Sequence, residues 1–450
     1  MLSVQYGEPV DDYRLIADIL AEDIAAGRLR AGEQLPPQRR FARRHGIAAS
    51  TAARVYGELV RRGLAVGEVG RGTFVRAAAP ATEPALAEPA SARVDLELNF
   101  PVLPDQAELL STSLARLLRP DVLSDALRPV TVDGTPRARA TAARLLTRTG
   151  WLPDADRILF AGNGRQAIAA AIAALVPVGG RLGVEAMTYP VVKAVAARLG
   201  VTLVPLEMDE DGLLPSAVRE APVRAVYVQP TLHNPLGITM PDGRRAELAE
   251  VLADRELPAI EDGIYTFLRD DLPPLAAHAP GHVVLVDSMS KRIAPGLTLG
   301  YLVPPAATAD AVAGAIRSGG WAATGFALEV ATQCTADGTA ERIATAKRAD
   351  AAARQCLVAD RLAGFTVRAD PGAFHCWWEL PEPWRAEMFV AAAARHGTAV
   401  TPAAAFAVGH GRAPNAVRLA LSAPPPDVLA STLDTLAKLA RTRPEDSTVD

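Results

Sequence analysis

A proline- and alanine-rich segment near the N-terminus divides this chain into two parts of very different length. Residues 77–93 begin with AAAPATEPALAEPASA, which contains three prolines and no aromatic or β-branched apolar residue. Such a composition cannot form a packed core and is typical of a semi-extended spacer. We therefore expect two folded units, at residues 1–76 and 94–440, and a short tail at residues 441–450.

The small unit has the opposite charge balance to the rest of the chain. The whole chain carries a net charge of −4, but residues 36–76 contain nine arginines and only two glutamates. A contact with a polyanion is therefore expected near the N-terminus.

Composition also argues against several other classes of protein. The three cysteines lack the paired spacing of a disulfide framework or a zinc site, so we expect no metal site. The sequence contains neither a signal peptide nor an apolar run of the roughly 18 residues needed to span a membrane. A cytoplasmic protein with no membrane partner is expected.

The small unit is predicted to form three helices followed by a hairpin. Apolar residues in the stretch 13–24 fall on one helical face, and paired prolines precede a second helix at Gln38–His45. A third helix begins at Ala49 or Ser50, and two short strands then surround the sequence VGRG. This order is that of a winged helix-turn-helix, and a small helical oligomerisation domain is the alternative that the arginines disfavour.

Residues expected to contact DNA lie on the second helix, on the third helix and at the tip of the hairpin. A recognition helix places its first turn in the major groove, and a wing suits the DNA backbone or the minor groove. The outward face of the third helix is also predicted to carry Glu58 and Arg61. The candidate DNA-binding residues are Arg39, Ser50, Thr51, Arg54, Arg71, Gly72 and Thr73.

Residues 13–75 resemble the GntR-type winged helix over their whole length. The shared features are the run G-x-L-x-x-G-x-x-L-P, a following arginine, the turn glycine, Y-x-x-L and the wing G-x-G-T-F-V. The resemblance implies binding to double-stranded operator DNA. The family usually places a serine and often an arginine where this chain has Ala48 and Ala49. The contacts that read the DNA sequence are therefore expected to differ from those of the family.

The large unit alternates strand and helix signals. Strands are predicted at ILFAG, AVYVQP, PAIEDGIY and VVLVD, with a weaker signal at LRPVTV, and helices are predicted at 165–175 and 189–198. This alternation predicts an α/β fold with a mostly parallel sheet covered on both faces. Ligands of such sheets bind at the carboxyl ends of the strands.

Three polar residues follow separate predicted strands of this unit. Lys291 lies in DSMSK and is one of only four lysines in the chain, and a lysine beside hydroxyls at a strand end suits Schiff-base chemistry. Asp262 precedes Lys291 by 29 residues, and Asn234 precedes Asp262 by 28 residues. Each of these two spacings fits one βα repeat. A solvated lysine, a capping aspartate and a turn asparagine are the alternatives when each residue is considered alone.

Together with the glycine-rich turn GNGRQA at residues 162–167, these residues resemble the fold-type I aminotransferases that use pyridoxal 5'-phosphate (PLP). The resemblance covers roughly residues 95–440. It implies that Lys291 forms the Schiff base with PLP and that Asp262 contacts the pyridine nitrogen. It further implies that Asn234 and Tyr265 bond the 3-oxygen of the ring and that Tyr189 stacks on the ring.

The same resemblance assigns residues to the phosphate and to a carboxylate. It implies that Ser288 joins Gly164, Arg165 and Gln166 around the cofactor phosphate, a role that suits a helix N-terminus. Arg418 matches the arginine that binds a substrate α-carboxylate, and a surface strand arginine is the alternative.

Two positions depart from the aminotransferase pattern. Thr298 replaces the arginine that usually binds the cofactor phosphate in P-G-L-R-x-G-Y, and the segment PVTVDG lacks a tyrosine that relatives often send to the partner's phosphate. The sequence therefore predicts a recognisable cofactor pocket with a weaker grip on the phosphate.

A winged helix, a proline-rich linker and an aminotransferase-like domain, in that order, resemble the MocR family of bacterial transcription regulators. The resemblance implies a homodimeric, cytoplasmic regulator that binds operator DNA and responds to PLP, with or without an amine or amino-acid effector. The alternative is a catalytically active PLP-dependent aminotransferase that carries a winged helix. A regulator without PLP is a third possibility, which Thr298 keeps open.

Overall fold

The computed structural model describes residues 13–25, 28–29, 33–61, 64–68, 72–75, 92–409 and 413–444. These residues separate into two compact units, one on each side of the proline-rich segment. Most of the predicted linker, most of the predicted tail and the wing residue Arg71 lie outside the described residues. Within the described part of the chain, no helix combines the length and the apolar character that crossing a membrane requires.

The N-terminal unit is a three-helix winged helix-turn-helix, as the sequence predicts. Its elements in chain order are α1 (Tyr13–Ala25), α2 (Gln38–His45), α3 (Ala49–Arg61), β1 (Ala65–Glu68) and β2 (Gly72–Val75). β1 and β2 pair antiparallel. Gly46 ends α2 in the left-handed conformation, with φ of 65°, which glycine adopts without strain. Phe41, Val55 and Leu59 pack in the core between the helices.

One expectation for α3 is wrong. Glu58 was expected on the outward face, but its side chain is buried, with 6% of the residue exposed. Glu58 lies three residues after Val55, and residues three apart are neighbours on a helix surface. Because Val55 is fully buried, Glu58 lies at the edge of the core, between Val55 and the exposed Arg54 four residues before it.

The C-terminal unit is an α/β structure with a seven-stranded sheet, a five-stranded sheet and a separate two-stranded sheet. Its strands are β3 (Val94–Leu96), β4 (Leu159–Ala161), β5 (Arg181–Glu185), β6 (Thr202–Leu206), β7 (Met208–Asp209), β8 (Gly212–Leu213), β9 (Ala225–Val228), β10 (Ala259–Asp262), β11 (Val283–Ser288), β12 (Gly300–Val303), β13 (Val367–Ala369), β14 (His375–Glu379), β15 (Thr398–Pro402) and β16 (Ala416–Ala420).

Helices lie between most of these strands. They are α4 (Gln106–Ala115), α5 (Pro120–Ala126), α6 (Pro136–Leu146), α7 (Gly164–Leu175), α8 (Pro190–Arg198), α9 (Pro215–Glu220), α10 (Asp242–Asp254), α11 (Leu275–His278), α12 (Met289–Arg292), α13 (Ala309–Ser318), α14 (Gly325–Ala336), α15 (Thr339–Arg361), α16 (Ala386–Arg395) and α17 (Pro426–Arg441).

The larger sheet has seven strands in the order β4-β12-β11-β10-β9-β5-β6. β12 is antiparallel to both neighbours, and the other neighbouring pairs are parallel. Successive residues of β9 alternate between two hydrophobic clusters, with Val226 and Val228 in one and Ala225 and Tyr227 in the other. Both faces of the sheet are therefore covered, and the predicted mostly parallel α/β fold is confirmed.

The weak strand signal at LRPVTV is wrong. Residues 127–132 form no strand, although Val132 is buried and its carbonyl accepts a hydrogen bond from the Phe160 N–H at 2.7 Å. Pro129 has no N–H to contribute to a ladder, so this segment runs beside β4 without continuing the sheet.

The smaller sheet has five strands in the order β13-β14-β16-β15-β3. Its strands pair antiparallel except for β15 and β3, which are parallel. A separate hydrophobic cluster that includes Trp378, Trp384 and Phe389 packs against it. This sheet joins the first strand of the unit to its C-terminal third, and the sequence did not predict it.

Candidate functional site

A cavity of about 500 Å³ lies where the loops after several strands of the larger sheet meet residues of the smaller sheet. We call it the first cavity. Its volume is within the range of about 300–1,000 Å³ that is usual for small-molecule sites. The predicted residues on its wall are Gly164, Arg165, Tyr189, Asn234, Asp262, Tyr265, Lys291 and Arg418. Two predicted residues, Gln166 and Ser288, lie close behind the wall.

Lys291 lies on α12, the single helical turn that follows β11. Its Nζ donates a hydrogen bond to the Asn99 carbonyl and lies 3.5 Å from the centroid of the Phe100 ring. Burial lowers the pKa of Lys291 well below its usual value, and the nearby Arg165 and Arg418 lower it further. A lysine whose pKa is lowered in this way holds a larger fraction of neutral, nucleophilic amine.

A second lysine supports this turn from behind. The Nζ of Lys347, on α15, donates hydrogen bonds to the carbonyls of Lys291 at 2.9 Å and of Ile293 at 2.5 Å. Lys347 is fully buried, and burial lowers its pKa to about 7. The backbone of the Lys291 turn is thus held independently of the Lys291 side chain.

Asp262 is the last residue of β10 and is buried. Its Oδ2 accepts a hydrogen bond from the Tyr227 hydroxyl at 2.5 Å, and its Oδ1 accepts one from the Ile264 N–H at 3.1 Å. Burial raises the pKa of Asp262 to about 6, and the two hydrogen bonds oppose that shift. A positively charged group beside this carboxylate would stabilise its ionised form.

Polar groups of Asn234, Tyr265 and Tyr189 surround the same space. The Asn234 Oδ1 is buried without a hydrogen-bond partner among the described residues, and the Asn234 N–H donates to the Gln229 Oε1 at 2.8 Å. The Tyr265 hydroxyl accepts a hydrogen bond from the Asn99 Nδ2 at 3.1 Å. Burial raises the pKa of both tyrosines, so both stay neutral hydroxyls.

The start of α7 approaches the end of β11 closely at Gly164. A Cβ at this position would lie 3.0 Å from the Ser288 Cβ, so any side chain there would force one of the two elements to move. The Asn163 Oδ1 accepts the Gln166 N–H at 2.9 Å. The N–H groups of Gly164 and Arg165 are therefore the ones left at this helix N-terminus to bind a ligand.

Three hydroxyls lie together beside that helix start. The Ser288 Oγ is 2.8 Å from the Ser290 Oγ and 3.3 Å from the Thr298 Oγ1, and Ser290 also hydrogen-bonds Thr298. Arg292 does not join them, because its Nη2 donates to the Asp287 Oδ2 at 3.0 Å. Arg292 therefore does not take the place of the phosphate-binding arginine that relatives have at position 298.

Arg418 lies on β16 in the smaller sheet and is almost fully buried. Its Nη2 donates to the Glu97 carbonyl at 2.6 Å and to the Thr401 Oγ1 at 3.1 Å, and its Nε has no partner among the described residues. Its guanidinium carbon lies 5.3 Å from the Phe406 ring centroid. Burial lowers the pKa of Arg418. An anion beside it would offset part of the cost of burying this charge.

The donors and acceptors of the first cavity fit PLP. Buried polar groups normally have a partner, yet Asn99 Oδ1, Asn234 Oδ1 and Arg418 Nε on this wall have none among the described residues. Asp262 would accept from a protonated ring nitrogen, and Lys291 offers the amine. The hydroxyls and the start of α7 would receive a phosphate.

The sequence did not predict several residues of the first cavity. Asn99 and Phe100 follow β3, and Thr401 and Phe406 lie on or after β15, so only the pairing of β3 with β15 brings them to the cavity. No local motif marks them. Tyr227 did have a signal, because a tyrosine in the aliphatic strand AVYV must find a partner for its buried hydroxyl.

Six of the seven predicted DNA-binding residues lie in the described part of the N-terminal unit. Arg39 on α2 and Ser50 on α3 are exposed, and Thr51 is half-buried. Arg54 is exposed, with its guanidinium carbon 4.6 Å from the Tyr13 ring centroid. Gly72 and Thr73 begin β2, and Arg71 lies outside the described residues.

Each of the two units matches a known protein family. Residues 12–75 match the family described as bacterial regulatory proteins, gntR family, and residues 124–436 match aminotransferase class I and II. The uncharacterized HTH-type transcriptional regulator YdeF of Bacillus subtilis is 30% identical over 92% of this chain and 90% of its own length. The vitamin B6 salvage pathway transcriptional repressor PtsJ of Salmonella typhimurium is 27% identical over 87% of this chain and 90% of its own length.

Among solved structures, an archaeal alanine:glyoxylate aminotransferase aligns with a TM-score of 0.71 and 20% identity, over 86% of this chain and 94% of its own. The fold and the sequence matches together define a transcriptional regulator built from a GntR-type DNA-binding domain and an aminotransferase-type domain. This chain belongs to the MocR family of such HTH-type regulators.

Proposed function

We propose that this protein regulates transcription through a C-terminal unit that binds PLP and senses PLP itself or an amino compound that reacts with it. The observation that carries the proposal is the convergence of an amine with a lowered pKa, at Lys291, and a buried carboxylate, at Asp262, on one cavity. The Salmonella relative, which is named as a transcriptional repressor of the vitamin B6 salvage pathway, supports the same assignment.

The predicted residues that line the first cavity have distinct roles in this proposal. When bound, PLP supplies an aldehyde that reacts with amines. Lys291 is the amine that binds it, and Asp262 keeps a proton on the ring nitrogen. Asn234 and Tyr265 donate to the 3-oxygen, and Tyr189 packs against the ring face.

The phosphate and the effector have separate binding groups. The N–H groups of Gly164 and Arg165 at the start of α7 and the Ser288 hydroxyl bind the phosphate, and the Gln166 N–H stays bonded to the Asn163 side chain. Arg418 binds the α-carboxylate of an amino-acid effector, because its planar guanidinium suits a bidentate contact.

The N-terminal unit is proposed to bind operator DNA as part of a homodimer. Arg39, Thr51 and Arg54 would contact the major groove and its phosphates, and the wing residues from Arg71 to Thr73 would contact the backbone or minor groove. A dimer that makes six to ten phosphate contacts would lose roughly 10³–10⁵ in affinity between about 50 and 200 mM salt.

The DNA assignment is tested with the double variant Arg39→Ala, Arg71→Ala in an electrophoretic mobility shift assay on promoter DNA. We expect binding to weaken strongly and its salt dependence to become shallower. The matched control is Arg119→Ala, which removes an exposed arginine from the C-terminal unit. A double variant that shifts promoter DNA as the wild type does would contradict the assignment.

The cofactor assignment is tested by the visible spectrum of the PLP-loaded protein before and after borohydride reduction. We expect a visible band that reduction removes, with the label on Lys291. Panels of amino acids should change the band stoichiometrically without turnover. Sustained production of a 2-oxo acid would instead identify an active aminotransferase, and the absence of any band would identify a regulator without PLP.

A further inference from the structure

A second cavity, of about 280 Å³, lies on the other side of α12 from the first. Lys291 lines the first cavity, and the next residue, Arg292, lines the second. The two cavities share none of their lining residues. The second cavity therefore offers a separate binding space next to the turn that carries the reactive lysine.

The charges around the second cavity are unbalanced. Four arginines line it, together with only two carboxylates. These residues are Arg144, Arg148, Arg292, Arg348, Asp270 and Glu341. A wall on which guanidinium groups outnumber carboxylates is suited to binding an anion.

Two of these arginines are buried and share one carboxylate. The Nη2 atoms of Arg148 and Arg292 lie 3.4 Å and 3.0 Å from the same Asp287 Oδ2, and the three side chains are at most 7% exposed. The Nε atoms of both arginines have no hydrogen-bond partner among the described residues. One buried carboxylate therefore pairs with two guanidinium groups. Arg148 also donates to the carbonyls of Leu145 and Thr147 and to the Thr266 hydroxyl.

The pKa of Arg148 reflects its burial and the charges around it. Burial lowers this pKa to about 10, Arg292 lowers it further, and Asp287, Asp270 and Glu261 oppose the shift. Burying a charge is costly, so an anion at this point would stabilise the charged guanidinium.

The mouth of the cavity is at the protein surface. Arg348 is 30% exposed and pairs with the more exposed Glu341 at 2.5 Å. Its Nη1 donates to the Phe267 carbonyl at 2.8 Å, and the Phe267 ring centroid lies 5.2 Å from the Arg292 guanidinium carbon. An exposed arginine thus leads to two buried ones.

We propose that the second cavity is a binding site for a small oxyanion, of the phosphate or carboxylate type. Arg148 and Arg292 bind its oxygens, and Arg348 binds it at the mouth. The site is separate from the PLP site proposed above, and its existence does not depend on PLP binding. An anion bound here contacts the same helical turn that carries Lys291.

The test is a calorimetric titration of the full-length protein with inorganic phosphate at low ionic strength. Arg292→Lys keeps a charge for Asp287 but loses the fork, and we expect it to weaken phosphate binding by about tenfold. Arg348→Gln, at the more exposed mouth, should weaken it several-fold. The surface variant Arg119→Gln should bind phosphate as the wild type does. Succinate in place of phosphate distinguishes a carboxylate from a phosphate ligand.

Three outcomes would overturn the proposal. One is the absence of binding of both phosphate and succinate to the wild type at millimolar concentration. The second is binding that survives both arginine variants. The third is binding that responds to Ser290→Ala but not to Arg292→Lys, which would move the anion to the first cavity. If Arg292→Lys does not fold, as its thermal midpoint will show, the Arg348→Gln comparison decides the question.

Discussion

The two ends of the first cavity are built from different chemistry. The ring end, which we define by Asp262 and Lys291, consists of buried titratable groups whose pKa values are both shifted by burial. The phosphate end, defined by Ser288, Ser290 and Thr298, consists of neutral hydroxyls. Different residues would therefore bind the aldehyde-bearing ring and the phosphate, so the strength of phosphate binding can change without changing the groups at the ring end.

Among the residues assigned to the phosphate, Arg165 supplies the one cationic side chain to balance a dianion. One of the first three N–H groups of α7 is already used by Asn163, and Arg292 is turned to Asp287. A helix N-terminus contributes roughly 0.3–1 kcal/mol to the binding of a negative charge. We therefore expect PLP to dissociate more easily than from an aminotransferase that has an arginine in place of Thr298. Such reversible binding suits a sensor.

The largest expected effect concerns the ring end. Lys291→Ala should remove the visible band of the PLP-loaded protein, because the other lysine on the wall of the first cavity, Lys193, donates its amine to the carbonyls of Ala405 and Ala407. The absorption spectrum checks this result, and circular dichroism should show an unchanged fold. Lys438→Ala, at an exposed position on α17, is the control and should keep the band. Retention of the same band in Lys291→Ala would refute the role of Lys291.

Arg418→Ala should have the next largest effect. Losing a charge-assisted bidentate contact costs about 1.5–3 kcal/mol, so an amino-acid effector should bind roughly tenfold more weakly or worse. PLP itself should be affected less. The measurement is a titration of the PLP-loaded protein with amino acids and with the corresponding amines that lack a carboxylate. Equal losses for both ligand types would show that Arg418 does not bind the carboxylate.

Thr298→Arg tests the phosphate end directly. The new guanidinium should tighten PLP binding at least several-fold, since it supplies the charge that the three hydroxyls lack. Titration of the apoprotein with PLP measures the change, and Thr298→Ser, which keeps the hydroxyl, should bind like the wild type. Equal affinities of the wild type and Thr298→Arg would mean that another cation already balances the phosphate.

The smallest effect is expected from Tyr227→Phe. The Tyr227 hydroxyl lowers the pKa of Asp262, which burial has raised to about 6, so its loss should raise that pKa further. Only the ionised carboxylate pairs with a protonated ring nitrogen. PLP affinity should therefore fall as the pH drops through about 6 in the wild type, and from a higher pH in the variant.

Asp262→Asn is the control for that pH dependence. It has no carboxyl to titrate, so the component of the pH profile that comes from Asp262 should be absent. Profiles that coincide for the wild type and Tyr227→Phe would show that the hydrogen bond does not set the protonation of Asp262.

Much of the larger sheet and of the ring end could be predicted from the sequence. Asn234, Asp262 and Lys291 follow predicted strands, and parallel strands end at the same edge of a sheet, so their convergence follows from local signals. The start of α7 was also predictable from a local signal, because its glycines mark a strand-to-helix turn.

The rest depends on contacts that no local pattern encodes. Pairing of β3 with β15 spans about 300 residues and brings Asn99 to the cavity. Thr298 was notable in the sequence, but only the structure shows that it joins Ser288 and Ser290. The directions of neighbouring side chains were also hidden, since Lys291 and Arg292 face different cavities.

The hydrogen bond from the Lys291 amine to the Asn99 carbonyl connects the larger sheet to the smaller one. Lys291 follows a strand of the larger sheet, and Asn99 lies three residues beyond β3 of the smaller one. If this amine bonded to an aldehyde, the hydrogen bond would be lost and the Asn99 carbonyl would need another donor, which carries a cost. An amino acid held by Arg418 would be bound at the smaller sheet as well as at the aldehyde. We therefore expect aldehyde alone and aldehyde with amino acid to have opposite effects on the contact between the two sheets.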